Sequence, residues 1–431
     1  MNDADVVARM RRDWDARAAE NAKYYVACQK CEQSDAEFYS GAPEIIARVR
    51  RDYVFLPQPA PECRFLEIGC GLGRLMFSLA ADCREIHGVD ISPEMIAIAR
   101  DKLRDIPNAR FTVAENSDLS AYPDSYFDLA YSYAVFQHIP DRAVIFRYLD
   151  ETLRVLRPGG VFIGHFNGAP PAESRCDTWV GCWVSSDELF KYARDRGWQV
   201  LCREGADSPY LWLTMKKPAA STPLRGPVSA RIITVAAADG GRTLVAGGPM
   251  GFATLYATGI PAECCCLTRL SASIGSTPVP PCYLGPASAD QPRQINIQVL
   301  EETPAGEHDL VLLFDGRPVS EPVRVSVKPR PPVAPRLVAV TDGKNILTRN
   351  VITSGIMQLN LEECRDIGSL EIAIAGRPVA HSPAFCVNPL SRYYHVNVPA
   401  PEGIFGKQTL QVSVDGQQLA PVEIEIVPPG S

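Results

Sequence analysis

Residues 64–74 read Arg-Phe-Leu-Glu-Ile-Gly-Cys-Gly-Leu-Gly-Arg, and the next apolar run closes on an isolated acid, Asp90. An apolar run, a glycine turn and a helix, followed by a run ending in a carboxylate, describe the first strand–helix–strand unit of an open α/β sheet. The turn lets a ligand approach backbone N–H groups, and the carboxylate suits the two vicinal hydroxyls of a ribose. A nucleoside is therefore the expected ligand. Gly69, Gly71 and Gly73 give GxGxG rather than the dinucleotide pattern GxGxxG, and Arg74 stands where the last dinucleotide glycine would fall. A pyrophosphate needs the wider pattern so that a helix N-terminus can face it. Glu67 places a carboxylate before the turn, where it would repel phosphates and suit a cation.

S-adenosylmethionine, with its sulfonium and ammonium, is a nucleoside of that kind. The following stretches extend the pattern. Arg110–Glu115 reads as a third strand ending in an acid, Tyr126–Tyr133 as a fourth, and Val161–His165 as a fifth after a Pro-Gly-Gly stop at 158–160. Helix Ser186–Gly197, with Ser186 as its cap, leads into two further strands, Trp198–Arg203 and Tyr210–Met215.

The segments FLEIGCGLGRL (65–75), GVDISPEMIAIAR (88–100), YPDSYFDLAYSYAVFQHIPD (122–141) and RVLRPGGVF (154–162) resemble, in order, those of the class I (Rossmann-like) S-adenosylmethionine-dependent methyltransferases, in particular the small-molecule and quinone group. The resemblance covers most of residues 60–165. It implies an α/β fold: a seven-stranded sheet with helices on both faces and an antiparallel edge hairpin. It also implies residue roles. Gly69, Cys70, Gly71 and Gly73 would lie against the methionine part of S-adenosyl-L-methionine, Asp90 would hold the ribose diol, and Ile91 would press on the adenine. Glu115, where the family usually has Asp, and Asn116 would meet the adenine edge. Ser132 and Tyr133 end the fourth strand on the methyl-transfer side. His138 and His165 are the candidate bases. Tyr133, Asn167, Trp179 and Trp183 would shape an aromatic acceptor pocket. The family implies an N-terminal lid, for which residues 3–27 offer a helix with Val6, Met10, Trp14, Ala18, Ala22 and Val26 along one face. Trp14, Tyr24 and Tyr25 could close it; packing on the sheet edge is the equal alternative.

The full chain has 431 residues, enough for two or three domains, and a net charge of −7. That charge disfavours a nucleic-acid partner. No run is long and apolar enough to span a membrane, and a charged N-terminus unlike a signal peptide suggests a cytoplasmic protein. The fourteen cysteines are then expected as free thiols. Cys28 and Cys31 form half of a zinc spacing with no second half, Cys264–Cys266 alternate faces on a strand, and no metal is expected.

Helical periodicity stops near 218. Residues 218–228 read as a linker after a methyltransferase domain of 1–217 (1–40 the lid), and short alternating runs follow. Asp315-Gly316 and Asp415-Gly416 are hairpin signals 100 residues apart, and residues 321–327 parallel 420–426. Two all-β sandwiches are expected, at 229–328 and 334–428, around the proline-rich spacer 329–333. They resemble bacterial immunoglobulin-like repeats of the plexin and transcription-factor type. Each holds a cysteine pair, Cys264/Cys282 and Cys364/Cys386, that would bridge only in an oxidising compartment. His308, His381 and His395 lack partner spacing, so the repeats are expected to hold a substrate, a protein or glycan partner, or a second copy.

The function these features point to is methyl transfer to a small-molecule, lipid or glycan acceptor. A non-catalytic binder built around the repeats, or a nucleotide-dependent oxidoreductase, are the alternatives; the glycine spacing and Glu67 disfavour the last.

Overall fold

The computed structural model describes residues 3–27, 31–170, 177–219, 228–261, 266–288 and 291–428. Cys28, Cys264 and Cys265, and with them the CxxC spacing, the cysteine triplet and most of the 218–228 linker, lie outside the described residues. Contacts group the described chain into two units. One comprises residues up to Asp15, Tyr39–Ala169 and the stretch up to Pro331; the other comprises Ala16–Phe38 and the chain from Pro332 onward.

In the first unit seven strands form an α/β sheet: β1 Arg64–Ile68, β2 Glu85–Asp90, β3 Ala109–Val113, β4 Phe127–Ser132, β5 Leu156–Phe166, β6 Gln199–Glu204 and β7 Leu211–Lys216. Their spatial order is β3-β2-β1-β4-β5-β7-β6. β1 runs parallel to β2 and β4, while β7 runs antiparallel to both β5 and β6. This is the expected seven-stranded sheet with its edge hairpin. The inner strands are buried on both faces, so they read as near-continuous apolar runs rather than alternating ones; every residue of β4 is buried. The helix after β6's predecessor loop starts differently from the sequence reading. Ser185, not Ser186, is its N-cap, and the Ser185 hydroxyl accepts from the Glu188 N–H at 3.2 Å. An N-cap stands outside the helix and accepts the N–H two or three residues on, and Ser185, with extended backbone, is the residue that does so.

The sheet does not end at β6. Cys202 of β6 pairs with Tyr283 of strand Pro281–Leu284, and the sheet continues through strands Arg293–Gln298, Phe252–Thr258 and Arg231–Ala237 to a total of eleven strands. The Leu267 N–H donates to the Val200 carbonyl at 2.8 Å, and the Tyr283 ring packs 5.9 Å from that of Phe55. One apolar core runs from Val6 and Met10 through β4 and β5 to Leu284, Leu312 and Val327. The first repeat thus covers a sheet edge that would otherwise present unpaired backbone groups. Its second sheet holds strands Leu270–Ile274 and Gly306–Phe314 among six.

The second repeat has its own core, centred on Leu359, Ile374, Val396 and Val412, between a four-stranded sheet and a second sheet carrying strands Glu371–Ile374 and Gly406–Val414. Asp315, Gly316, Asp415 and Gly416 all have positive φ, as the Asp-Gly turns require. Among the described residues Cys282, Cys364 and Cys386 are free thiols, and no group of residues could hold a metal ion.

Asp342 is a buried organiser of the second repeat. Its carboxylate accepts the backbone N–H groups of Lys344, Asn345, Thr353 and Ser354 at 2.7–2.9 Å, and the Thr353 hydroxyl at 3.1 Å. Burial opposes ionisation, but these N–H groups outweigh it and hold the pKa near about 2. Because the folded pKa is depressed, the contribution is complete above pH 4 or so and drains away as pH falls through about 2. Asp342→Ala is expected to cost roughly 2–4 kcal/mol through stranded N–H groups, read as a drop in denaturant midpoint at pH 7 that narrows toward pH 2.

Candidate functional site

The glycine turn is built as its spacing requires. Gly69, Gly71 and Gly73 adopt φ of 72°, 49° and 72°, a region that side chains disfavour. At Gly69 a Cβ would lie 2.3 Å from the Val135 side chain, so this position has no room either. The Gly69 and Cys70 N–H groups donate to the Val89 carbonyl at 2.7 and 3.1 Å, tying the turn to the end of β2. Asp90 closes that strand. Its carboxylate accepts the Gly71 N–H at 2.8 Å and the Ser92 N–H at 2.9 Å, one on each oxygen. Burial raises its pKa, against the pull of those N–H groups. The carboxylate retains lone-pair capacity for a further donor.

Glu67 lies beneath the turn, 4% exposed, and accepts from the Tyr131 hydroxyl at 3.0 Å. Burial pushes its carboxyl up to about 8, only partly offset by Tyr131, and the nearby Asp90 charge adds to the rise. Burial therefore disfavours the anionic form of this carboxyl. A cation arriving at the turn would favour its ionised form. Cys70 is buried, and burial raises its thiol well above the usual range, so it is an inert packing group here.

Ile91 is buried beyond Asp90. Glu115 and Asn116 are exposed and lie just past the end of β3, which closes at Val113 rather than at the acid. Ser132 is committed elsewhere: its hydroxyl donates to the Ile68 carbonyl at 2.9 Å, joining β4 to β1.

Two residues that the sequence reading missed lie across this rim. Arg11, from helix Asp3–Ala27, donates from Nε to the Ile91 carbonyl at 3.2 Å, and from Nη2 to the Ala114 and Glu115 carbonyls at 2.8 and 2.9 Å. One turn later, Asp15 accepts from the Ser92 hydroxyl at 2.5 Å. Charged residues beside an apolar helical face read as solvated, and nothing local marks these two as bonded to loops about 80 to 100 residues away. The same helix carries Trp14, which meets His138 edge-on at 5.5 Å, and Asp13, which accepts from the Thr178 hydroxyl at 2.6 Å. Asn21 interrupts the helix with φ −164°, and Tyr24 and Tyr25 beyond it pack edge-to-face on each other at 5.4 Å.

The substrate-side residues fall into groups. His138 stacks on Trp179 at 5.3 Å, and its Nδ1 lies 2.6 Å from the Trp179 carbonyl. A carbonyl only accepts, so Nδ1 carries the proton and Nε2 keeps its lone pair, met by the Gln137 amide at 3.1 Å. His165 has the opposite tautomer. The Ala134 N–H donates to its Nδ1 at 3.2 Å, from a left-handed residue with φ 55°. Burial, then His138 and Arg48, lowers the His165 pKa to about 3. Around it pack Tyr133 at 5.3 Å, Trp212 at 4.9 Å and Tyr210 at 5.7 Å. The Arg48 guanidinium lies over Trp212 at 4.7 Å. Asn167 serves its own loop, accepting from the Ala169 N–H at 3.3 Å. Trp183 packs beneath the Arg142 guanidinium at 4.9 Å.

Residues 66–164 match the family model described as a methyltransferase domain. The ubiquinone biosynthesis O-methyltransferase of Xanthomonas campestris pv. campestris is 31% identical over 126 residues, which are 29% of this chain and 52% of that protein. The 2-methyl-6-phytyl-1,4-hydroquinone methyltransferase of Synechocystis sp. is 35% identical over 104 residues, 24% of this chain and 31% of that protein. The chain thus spans about half the length, or less, of these curated relatives. Among solved structures, the DhpI complex with SAM and HEP is 19% identical, covers 49% of this chain and 98% of its own, and has a TM-score of 0.37. Residues 66–164 are thus similar to a methyltransferase domain.

Proposed function

We propose that this chain transfers a methyl group from S-adenosylmethionine to a planar, hydroxyl-bearing small molecule. The observation that carries the reading is Asp90: an acid at the end of β2, bonded across the glycine turn to Gly71, with lone pairs left for a diol. The donor set suits the cofactor. Asp90 would hold the ribose, Glu115 and Asn116 the adenine edge, and the 69–73 turn the methionine part above Glu67. When bound, the cofactor supplies an electrophilic methyl carbon on a sulfonium.

The remaining work falls to this chain's own groups. Alignment is the main requirement of in-line displacement. Trp14 and Trp179, both packed on His138, offer aromatic surface that would orient a planar acceptor. The His138 Nε2, its tautomer set by the Trp179 carbonyl, would take the hydroxyl proton as Gln137 swings aside. His165 is the weaker candidate. Its Nδ1 lone pair is already used, and a pKa near about 3 leaves it a poor proton acceptor at neutral pH. Its place is to pack the end of β5 against Tyr133 and Trp212. The aromatic surroundings and the quinol-methylating names of the relatives support an aromatic acceptor over a lipid or a glycan.

Calorimetric titration of the full chain is expected to show binding of S-adenosylmethionine and none of NAD, and incubation of metabolite extracts with methyl-labelled cofactor is expected to label a phenolic product. Binding of NAD in preference would overturn the proposal. His138→Gln is expected to lower kcat by roughly 100- to 10,000-fold, with cofactor affinity unchanged. His165→Gln, if it folds, should retain the wild-type pH profile. A profile abolished by His165→Gln and kept by His138→Gln would reverse the assignment.

A further inference from the structure

The two repeats share a strand-pairing register at an offset of 100 residues. Leu270 pairs with Phe314 and Ile274 with Leu310 in the first, and Ile374 pairs with Leu410 in the second. At that offset Arg269 corresponds to Ser369, Phe314 to Val414 and Asp315 to Asp415. The first repeat closes this corner with a plug. Arg269 donates to both carboxylate oxygens of Asp315, at 3.1 and 2.6 Å, and lays its guanidinium over Phe314 at 4.4 Å. In the second repeat both large side chains are gone. Asp415 is held instead by the N–H groups of Arg365 and Asp366 at 2.8 and 2.7 Å, while its own N–H donates to the Ser369 hydroxyl at 2.8 Å. Beside it lies a cleft of about 630 Å³ whose lining includes Pro332, Pro335, Arg365, Asp366, Asp415 and Gln417.

We propose that this cleft is a binding site for a neutral saccharide. Its chemistry is mixed in a particular way. Both Asp415 oxygens keep a lone pair for a hydroxyl donor beyond the backbone bonds they accept. The exposed Arg365 guanidinium has no side-chain partner among the described residues, and the exposed Gln417 amide adds donors and an acceptor. The prolines are apolar. A ring with hydroxyls at its edge and C–H groups on its face meets all three demands together. The charged lining residues, one arginine against two aspartates, disfavour an anionic ligand, and the open guanidinium disfavours a cationic one. The site is separate from the cofactor turn and does not rest on the methyl-transfer reading.

Saturation-transfer NMR on the full chain with mannose, galactose, maltose, glucuronate and glucosamine tests the proposal. At least one of the three neutral sugars is expected to bind with a Kd on the order of 1 mM. Ser369→Arg, which places the first repeat's arginine in the cleft, and the surface double variant Arg365→Ala/Gln417→Ala should each weaken that binding about tenfold or more with cofactor affinity unchanged, and the double variant should also keep the unfolding midpoint. If Ser369→Arg does not fold, the surface double variant alone decides. The proposal is overturned if none of the neutral sugars gives a signal, if glucuronate or glucosamine binds more tightly than they do, or if the variants bind as wild type.

Discussion

Asp90→Ala is expected to weaken S-adenosylmethionine binding by roughly 2–4 kcal/mol, because charge-assisted hydrogen bonds to two hydroxyls would be lost. That is about 30- to 1000-fold in Kd. The structure adds a second consequence. The carboxylate also accepts the Gly71 and Ser92 N–H groups, so its removal loosens the turn even without cofactor. The two effects separate experimentally. The unfolding midpoint of the free variant reports the turn, and the further rise in midpoint on adding cofactor reports the site. Calorimetry showing unchanged affinity would remove Asp90 from the site and with it the proposed function.

Cutting the chain after residue 217 is expected to have the largest effect on folding. The 1–217 fragment would bare the edge of β6, strip Phe55 of its Tyr283 contact and uncover Val200, Leu201 and Cys202. Each fully uncovered apolar side chain costs about 1.5–3 kcal/mol, and three or four such losses rival a total stability of about 5–15 kcal/mol. The fragment should therefore aggregate, or melt at least about 10 °C below the full chain. A cut after Pro331 keeps the eleven-stranded sheet whole and should melt well above the 1–217 fragment. A soluble 1–217 monomer with the midpoint of the 1–331 fragment would show that the sheet junction contributes nothing. Loss of acceptor turnover in a 1–217 fragment would not by itself mean that the repeats present the acceptor, since the same cut removes half of a shared core.

Much of the sheet was legible because its evidence is local. The buried strands are short apolar runs, the glycines stand where positive φ is needed, and the Asp-Gly pairs fall at hairpin turns. The shift from helical to alternating patterning near 218 likewise marked the all-β repeats. It could not show that Tyr283 reaches Cys202, because alternation tells which side chains face inward and nothing about which edge the strand joins. Gly69 illustrates the difference. Its need for positive φ follows from the turn, whereas the Val135 side chain that also forbids a Cβ comes from another strand's loop.

The sequence alone determined the order of the sheet's elements, the glycine turn, the acid at the end of β2 and the hundred-residue repeat, since each is a pattern among neighbours along the chain. Only the tertiary structure decided that Arg11 and Asp15 strap the rim, that Glu67 is buried so that its ionisation is disfavoured, that His138 and His165 hold opposite tautomers, that the first repeat extends the sheet, and that the second repeat opens a cleft where the first is plugged. Protonation, tautomer and edge pairing depend on which groups meet after folding, and those groups stand tens to more than a hundred residues apart.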